Sequence, residues 1–160
     1  MKKHALLLIP LATLALLLVP APATPEVPAA ACATLAPVTP GAGLSIELVS
    51  RDGVASATIE DSAAGRAFVD SLPVSVQLRD SWGVALVGSL PPGLGTASTP
   101  ASCLLRPGEI AWSPEASALA IARSPEPTAV APPGVIRLGE VTNGLDALAG
   151  ANSPVTIRRG

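Results

Sequence analysis

Residues 58–90 read TIEDSAAGRAFVDSLPVSVQLRDSWGVALVGSL: a strand end, a capped helix, a proline stop and a hairpin. Asp61 or Ser62 can cap the helix, because either side chain can accept from its first free backbone N–H groups. Glu60 and Asp61 add negative charge at the positive helix end. Ala64, Ala67, Phe68 and Leu72 recur at spacings of three and four and make one face apolar, while Arg66 and Asp70 lie four apart and can pair. Pro73 lacks an N–H and disfavours a helical residue before it, so the helix stops there. Val74, Val76 and Leu78 then alternate with Ser75, Gln77 and Arg79, as a strand with one wet face does. Asp80 to Gly83 forms a turn, and Val84 to Ser89 is the returning strand.

The flanking segments repeat this alternation. Leu44, Ile46 and Leu48 mark a first strand, Arg51-Asp52-Gly53 a hairpin turn, and Val54 to Ile59 a second strand that leads into the helix. The stretch from Pro91 to Gly108 is a long Pro/Gly/Ser loop, of a length that is usually functional or mobile. Strands follow at Glu109 to Ser113 and Ala118 to Arg123, around the turn Ser113 to Ala116. Ser124 to Gly134 is a second loop, Val135 to Val141 a strand, and Val155 to Arg158 the last one. Asn143 can cap a short helix that Gly150 closes. About eight short strands and two short helices, near 61–72 and 143–149, predict a mainly β fold: a closed, mostly antiparallel barrel. Alanine replaces aromatic residues at many strand positions, which predicts a thin core.

The N-terminus has the order of a secretory leader. Met1-Lys2-Lys3 is basic, Ala5 to Val19 is an apolar run interrupted by Pro10, and Ala21-Pro22-Ala23 has the small-x-small form of a cleavage site. The apolar run is shorter than the roughly 18 residues a spanning helix needs. The organisation expected is a signal peptide over 1–23, a Pro-rich tether over 24–43 and a barrel domain over 44–160. A second cleavage site, after Ala31, would leave Cys32 first, as in bacterial lipoproteins, although Ala29 stands where a bulky apolar residue is usual. The expected location is therefore outside the cytoplasm, secreted or in the cell envelope, with a lipoprotein as the alternative. Membrane association would come only through the leader or a lipid on Cys32.

Composition narrows the chemistry. Both lysines and the single histidine, His4, lie in the leader, so its loss leaves eight arginines against 12 acidic residues, a formal charge of −4. Such a chain lacks the basic footprint of a nucleic-acid binder. Without His it cannot build a Ser-His-Asp triad, a Cys-His pair or a His-ligated metal site. No cofactor or metal is implied. Cys32 and Cys103 are the only cysteines; in an oxidising compartment they suggest a disulfide from tether to long loop, and two unpaired thiols are the alternative.

The element order, with a D-S-x-A-x-x-x-F helix ending in L-P, resembles the small bacterial cyclophilin-like domain family. The matching stretches are TIEDSAAGRAFVDSLPVSVQLRD, PGEIAWSPEASALAIA and VIRLGEVTNGLDALA, within a span from Leu44 to about Arg158. The second departs from the pattern at Pro114 to Ser117, where members usually carry aromatics and a Gly. The resemblance implies an eight-stranded closed barrel with two helices, and no firmly established general activity. True cyclophilins are prolyl isomerases with an F-H-R-type strand motif and a Q-G-G-D-type run. Neither is present here, so no isomerase residue carries over.

Three residues stand out for binding. Trp82 and Trp112 can stack a flat or proline-like ligand, and Arg79 can hold a carbonyl or carboxylate. The plain alternative for Trp112 is the barrel core, on the face of Ile110, and for Arg79 a solvated strand face beside Asp80. Asp52, Glu60, Asp61 and Asp80 each have a turn or cap role and form no free acid/base pair. Three functions fit: a non-catalytic module binding a small molecule or peptide, a divergent peptidyl-prolyl isomerase, and a tethered structural domain. A concavity holding Arg79 and either Trp would favour the first.

Overall fold

The computed structural model describes residues 43–91, 94, 101–131, 133–149 and 154–160. The leader, nearly all of the tether, Cys32 and Gly150 lie outside the described residues. Among those described, no helix is long and apolar enough to cross a membrane.

The first hairpin pairs β1 (Leu44–Ser50) with β2 (Gly53–Ile59) across a turn at Arg51-Asp52, where Ser50 Oγ accepts from the Asp52 N–H at 3.1 Å. Alternation puts Ile46, Leu48, Ala55, Ala57 and Ile59 on the buried face. Helix α1 (Ala63–Asp70) is capped by Ser62, whose Oγ accepts from the Gly65 N–H at 3.0 Å. Its end is closed by Ser71, whose hydroxyl donates to the Phe68 carbonyl at 2.6 Å, two residues before Pro73. The helix packs against β2 and β10 (Ile136–Asn143), and Phe68 is wholly buried in the barrel core. The expected Arg66–Asp70 pair does not form. Arg66 instead pairs with Asp61 at 2.6 Å, and Asp70 with Arg159 at 3.0 Å, because both carboxylates find a guanidinium off the helix's own i,i+4 track.

The remaining main strands are β3 (Val74–Gln77), β4 (Arg79–Ser81), β5 (Ala85–Ser89), β7 (Glu109–Ser113), β8 (Ala118–Ala122) and β11 (Pro154–Arg159). They join β1, β2 and β10 in a nine-stranded sheet of order β3-β11-β1-β2-β10-β7-β8-β5-β4, with every pairing antiparallel. The two ends of that order, β3 and β4, are consecutive in the chain, separated only by Leu78. The barrel therefore comes close to closing through one bent segment, whose first half pairs with β11 and whose second half pairs with β5. Counting that segment once recovers eight strands; of the single strand expected over Val74 to Arg79, Val74 to Gln77 pairs with β11 and Arg79 begins the stretch that pairs with β5. Gly88 makes the seam tight. A Cβ there would run into Val76 Cγ1 and lie 2.9 Å from the Gln77 carbonyl oxygen, so only glycine lets β5 approach β3 this closely.

The barrel interior holds Ile46, Leu48, Ile59, Leu78, Leu86, Ile110, Leu119, Ile121, Leu138 and Ile157, all essentially inaccessible. Each such side chain contributes about 1.5–3 kcal/mol of burial. Many of the alanines sit elsewhere. Ala85, Ala111 and Ala122 face outward and are covered together with Leu105 and Val135 in a second apolar layer. Above them β6 (Leu104–Leu105) pairs with β9 (Thr128–Ala129) as a two-stranded strap. Both segments were expected to be loop. Small side chains on the outer wall let this strap lie close to the barrel, which a run of loop-like residues does not announce.

The second expected helix is a 3-10 turn, Leu145–Leu148. Asn143 ends β10 rather than capping it; Gly144, at φ 75°, takes the cap position in a left-handed conformation, with no side-chain hydrogen bond. Glu60 also departs from its expected role. It forms a largely buried ion cluster in which Arg137 Nε donates to Glu60 Oε1 and Arg137 Nη1 lies 3.5 Å from Glu109 Oε1. Glu109 Oε2 accepts from the Arg106 backbone N–H at 2.7 Å.

Candidate functional site

The bend that nearly closes the barrel also shapes its outer wall. Along the segment from β3 to β4 the side chains of Val76 and Leu78 go inward, which leaves Gln77 and Arg79 facing out. Arg79 stands opposite Val87 in the ladder with β5. Together Gln77, Arg79, Asp80, Trp82, Val87 and Ser89 line a concavity of about 690 Å³, with Ser81 and Gly88 completing the wall. Its size falls within the range of small-ligand sites, roughly 300–1,000 Å³.

Trp82 sits at the tip of the β4–β5 hairpin. It is 97 % exposed and has a φ of 58°, followed by Gly83 at 71°. The Val84 N–H donates to the Ser81 carbonyl at 3.0 Å, closing a two-residue turn whose central residues both have positive φ. That turn matches the twist of the strands it joins, and it favours Asn-Gly; tryptophan is an unfavourable occupant of its first position. The ring thus gains almost nothing from packing, and its backbone is strained by it. Asp80 holds the turn in place: Oδ1 accepts from the Gly83 N–H at 3.1 Å and lies 3.7 Å from Arg123 Nη1. The side chain of Arg79, by contrast, is exposed and has neither hydrogen bond nor ion pair among the described residues.

The structure therefore brings Arg79 and Trp82 into one concavity and puts Trp112 elsewhere. Trp112 is 3 % exposed in the barrel core, on a ladder with Leu119 and Ile136, and its Nε1 has no hydrogen-bond partner among the described residues. The same-face spacing of Ile110 and Trp112 carried that outcome. Gln77, Ser89 and Arg123 were not picked out as site residues. The first two were legible as outward positions of neighbouring strands, whereas the approach of Arg123 to Asp80 depends on how β8 leaves the sheet. Cys103 is disulfide-bonded; the chain's other cysteine, Cys32, lies outside the described residues. Among the described residues, no group of three or more His, Cys, Asp or Glu side chains is placed to hold a metal.

With this geometry in view, the likenesses to known proteins concern the barrel. The sequence model of the cyclophilin-like family matches residues 48–158, most of the chain. The solution structure of a hypothetical protein from Archaeoglobus fulgidus superposes with a TM-score of 0.55 at 14 % identity, covering 75 % of this chain and 97 % of that one. At that identity the likeness is one of fold. No curated protein matches the chain. The chain belongs to the cyclophilin-like family, with a cyclophilin-like fold and without the motifs of a true cyclophilin.

Proposed function

We propose that this member of the cyclophilin-like family is an exported, non-catalytic module that binds a small molecule or peptide in the concavity at the barrel seam. The observation that carries the reading is the pairing, in one concavity, of an Arg79 side chain unpartnered among the described residues with a nearly fully exposed Trp82 on a strained turn. Backbone strain persists where the surrounding structure holds it, and it clusters at ligand sites. Export is supported by the order of basic, apolar and small-residue segments at the N-terminus.

Binding needs no proton transfer, so the confinement of histidine to the leader is no obstacle to it. A guanidinium can clamp a carbonyl or carboxylate while the indole stacks a flat or proline-like ring. The test is titration of the exported protein with a panel of proline-containing peptides, followed by acrylamide quenching of tryptophan emission. Trp112 is buried, so the quenchable signal belongs to Trp82. Protection of Trp82 that is lost in Arg79→Ala supports the reading. A protease-coupled assay on an Ala-Pro peptide separates the isomerase alternative: we expect no rate above the uncatalysed exchange. A rate abolished by Arg79→Ala would make the protein an isomerase.

A further inference from the structure

We infer that the concavity selects a ligand with one carboxylate beside a flat apolar group, the carboxylate on Arg79 and the ring on Trp82. This deepens the binding reading above and rests on it.

The charges at the site carry the inference. Among the described residues three ionisable side chains stand at it: Arg79 and Asp80 in its wall, and Arg123 beside Asp80. Asp80 and Arg123 offset each other, and Asp80 is further occupied by the Gly83 N–H. The other lining groups are neutral: the amide of Gln77, the hydroxyls of Ser81 and Ser89, the side chain of Val87 and the backbone of Gly88. One positive charge is left over, on Arg79. It stands on a chain whose formal net charge is negative, so the site is a local exception to the molecule's own sign.

A single guanidinium fork matches a single carboxylate, with two parallel N–H···O bonds. A dianion such as a phosphate monoester would bring a second charge with no partner, next to the carboxylate of Asp80. A neutral amide could use only part of the fork. The indole supplies the other half of the recognition. The turn sets the backbone of Trp82 and its side chain is unpacked, so both the ring face and the guanidinium are open to solvent before a ligand arrives. Neither has to break an internal contact on binding. Gln77 and the two serines add donors and acceptors around a carboxylate without adding charge.

The probes are N-benzoylglycine, its neutral amide N-benzoylglycinamide, and phenyl phosphate, titrated into the exported protein while the Trp82 indole N–H is followed by NMR. The expected result is a Trp82 shift with N-benzoylglycine, and about 10- to 100-fold weaker binding of the amide, the range of a charge-assisted hydrogen bond. Arg79→Gln should bring acid and amide level. Asp80→Asn keeps an acceptor for the Gly83 N–H but frees Arg123, so it should raise affinity for phenyl phosphate above that of the unaltered protein. Equal binding of acid and amide would overturn the carboxylate inference and leave the binding reading standing. So would phenyl phosphate binding the unaltered protein as tightly as N-benzoylglycine. If no probe moves Trp82, the inference fails, and the peptide titration above decides the broader reading separately.

Discussion

Replacing Trp82 by asparagine should stabilise the fold and at the same time remove the aromatic half of the site. The turn holds Trp82 at φ 58° and Gly83 at 71°. A left-handed conformation costs an ordinary L-residue roughly 1–2 kcal/mol, whereas asparagine enters it readily and is the preferred first residue of this turn. The offsetting loss is small, because a side chain that is 97 % exposed gives up almost no buried surface when it is removed. The hydrogen bonds of the turn, from Val84 to Ser81 and from Gly83 to Asp80, involve no atom of the indole. The net gain should be about 1 kcal/mol, or on the order of 4 °C in melting temperature for a domain of this size. Guanidinium denaturation followed through Trp112, which stays buried and becomes the only indole, measures it. The midpoint should rise with the slope unchanged. A fall in the midpoint would mean that the indole supports the fold, and would refute the argument that it is kept at the turn for binding.

Other perturbations test the rest of the structure. Gly88→Ala should destabilise the barrel by about 1–3 kcal/mol, since the new methyl group meets Val76 and the Gln77 carbonyl at the seam; thermal melts check this. Arg137→Met removes the cation that pairs with both Glu60 and Glu109 and leaves two largely buried carboxylates without it. It should cost about 3–5 kcal/mol by denaturant titration, and an unchanged midpoint would show the cluster to be solvated. The intact mass of the exported protein should be that of a chain cut after Ala23 or Ala31 and short of two thiol hydrogens, from a Cys32–Cys103 disulfide. A chain beginning at Met1, or one carrying an added lipid, would contradict this.

The local elements were legible because their causes are local. A side-chain period of two in Leu44 to Ile59 and in Val74 to Leu78 marks strands wherever the chain goes, and Ser62 before an apolar helical face marks a start. The barrel and the family followed from the order of those elements, whereas which tryptophan joins Arg79 stayed open in the sequence and is decided by the fold, which lines one concavity with Arg79 and Trp82 and buries Trp112. What tertiary structure alone decided involves groups far apart in the chain. Whether Val74 to Ser81 is one strand or two depends on which partner each half meets. The answer, β11 for one half and β5 for the other, is set by barrel closure and by the space that Gly88 leaves. Arg137 reaches Glu60 across 77 positions of sequence, a pairing that no spacing rule encodes. The two short strands of the strap look like loop because each holds only two residues and is stabilised by covering the alanine-lined outer wall. Period and capping act over a few residues and are written into the sequence. Partner choice is a competition among surfaces that exist only once the barrel has formed.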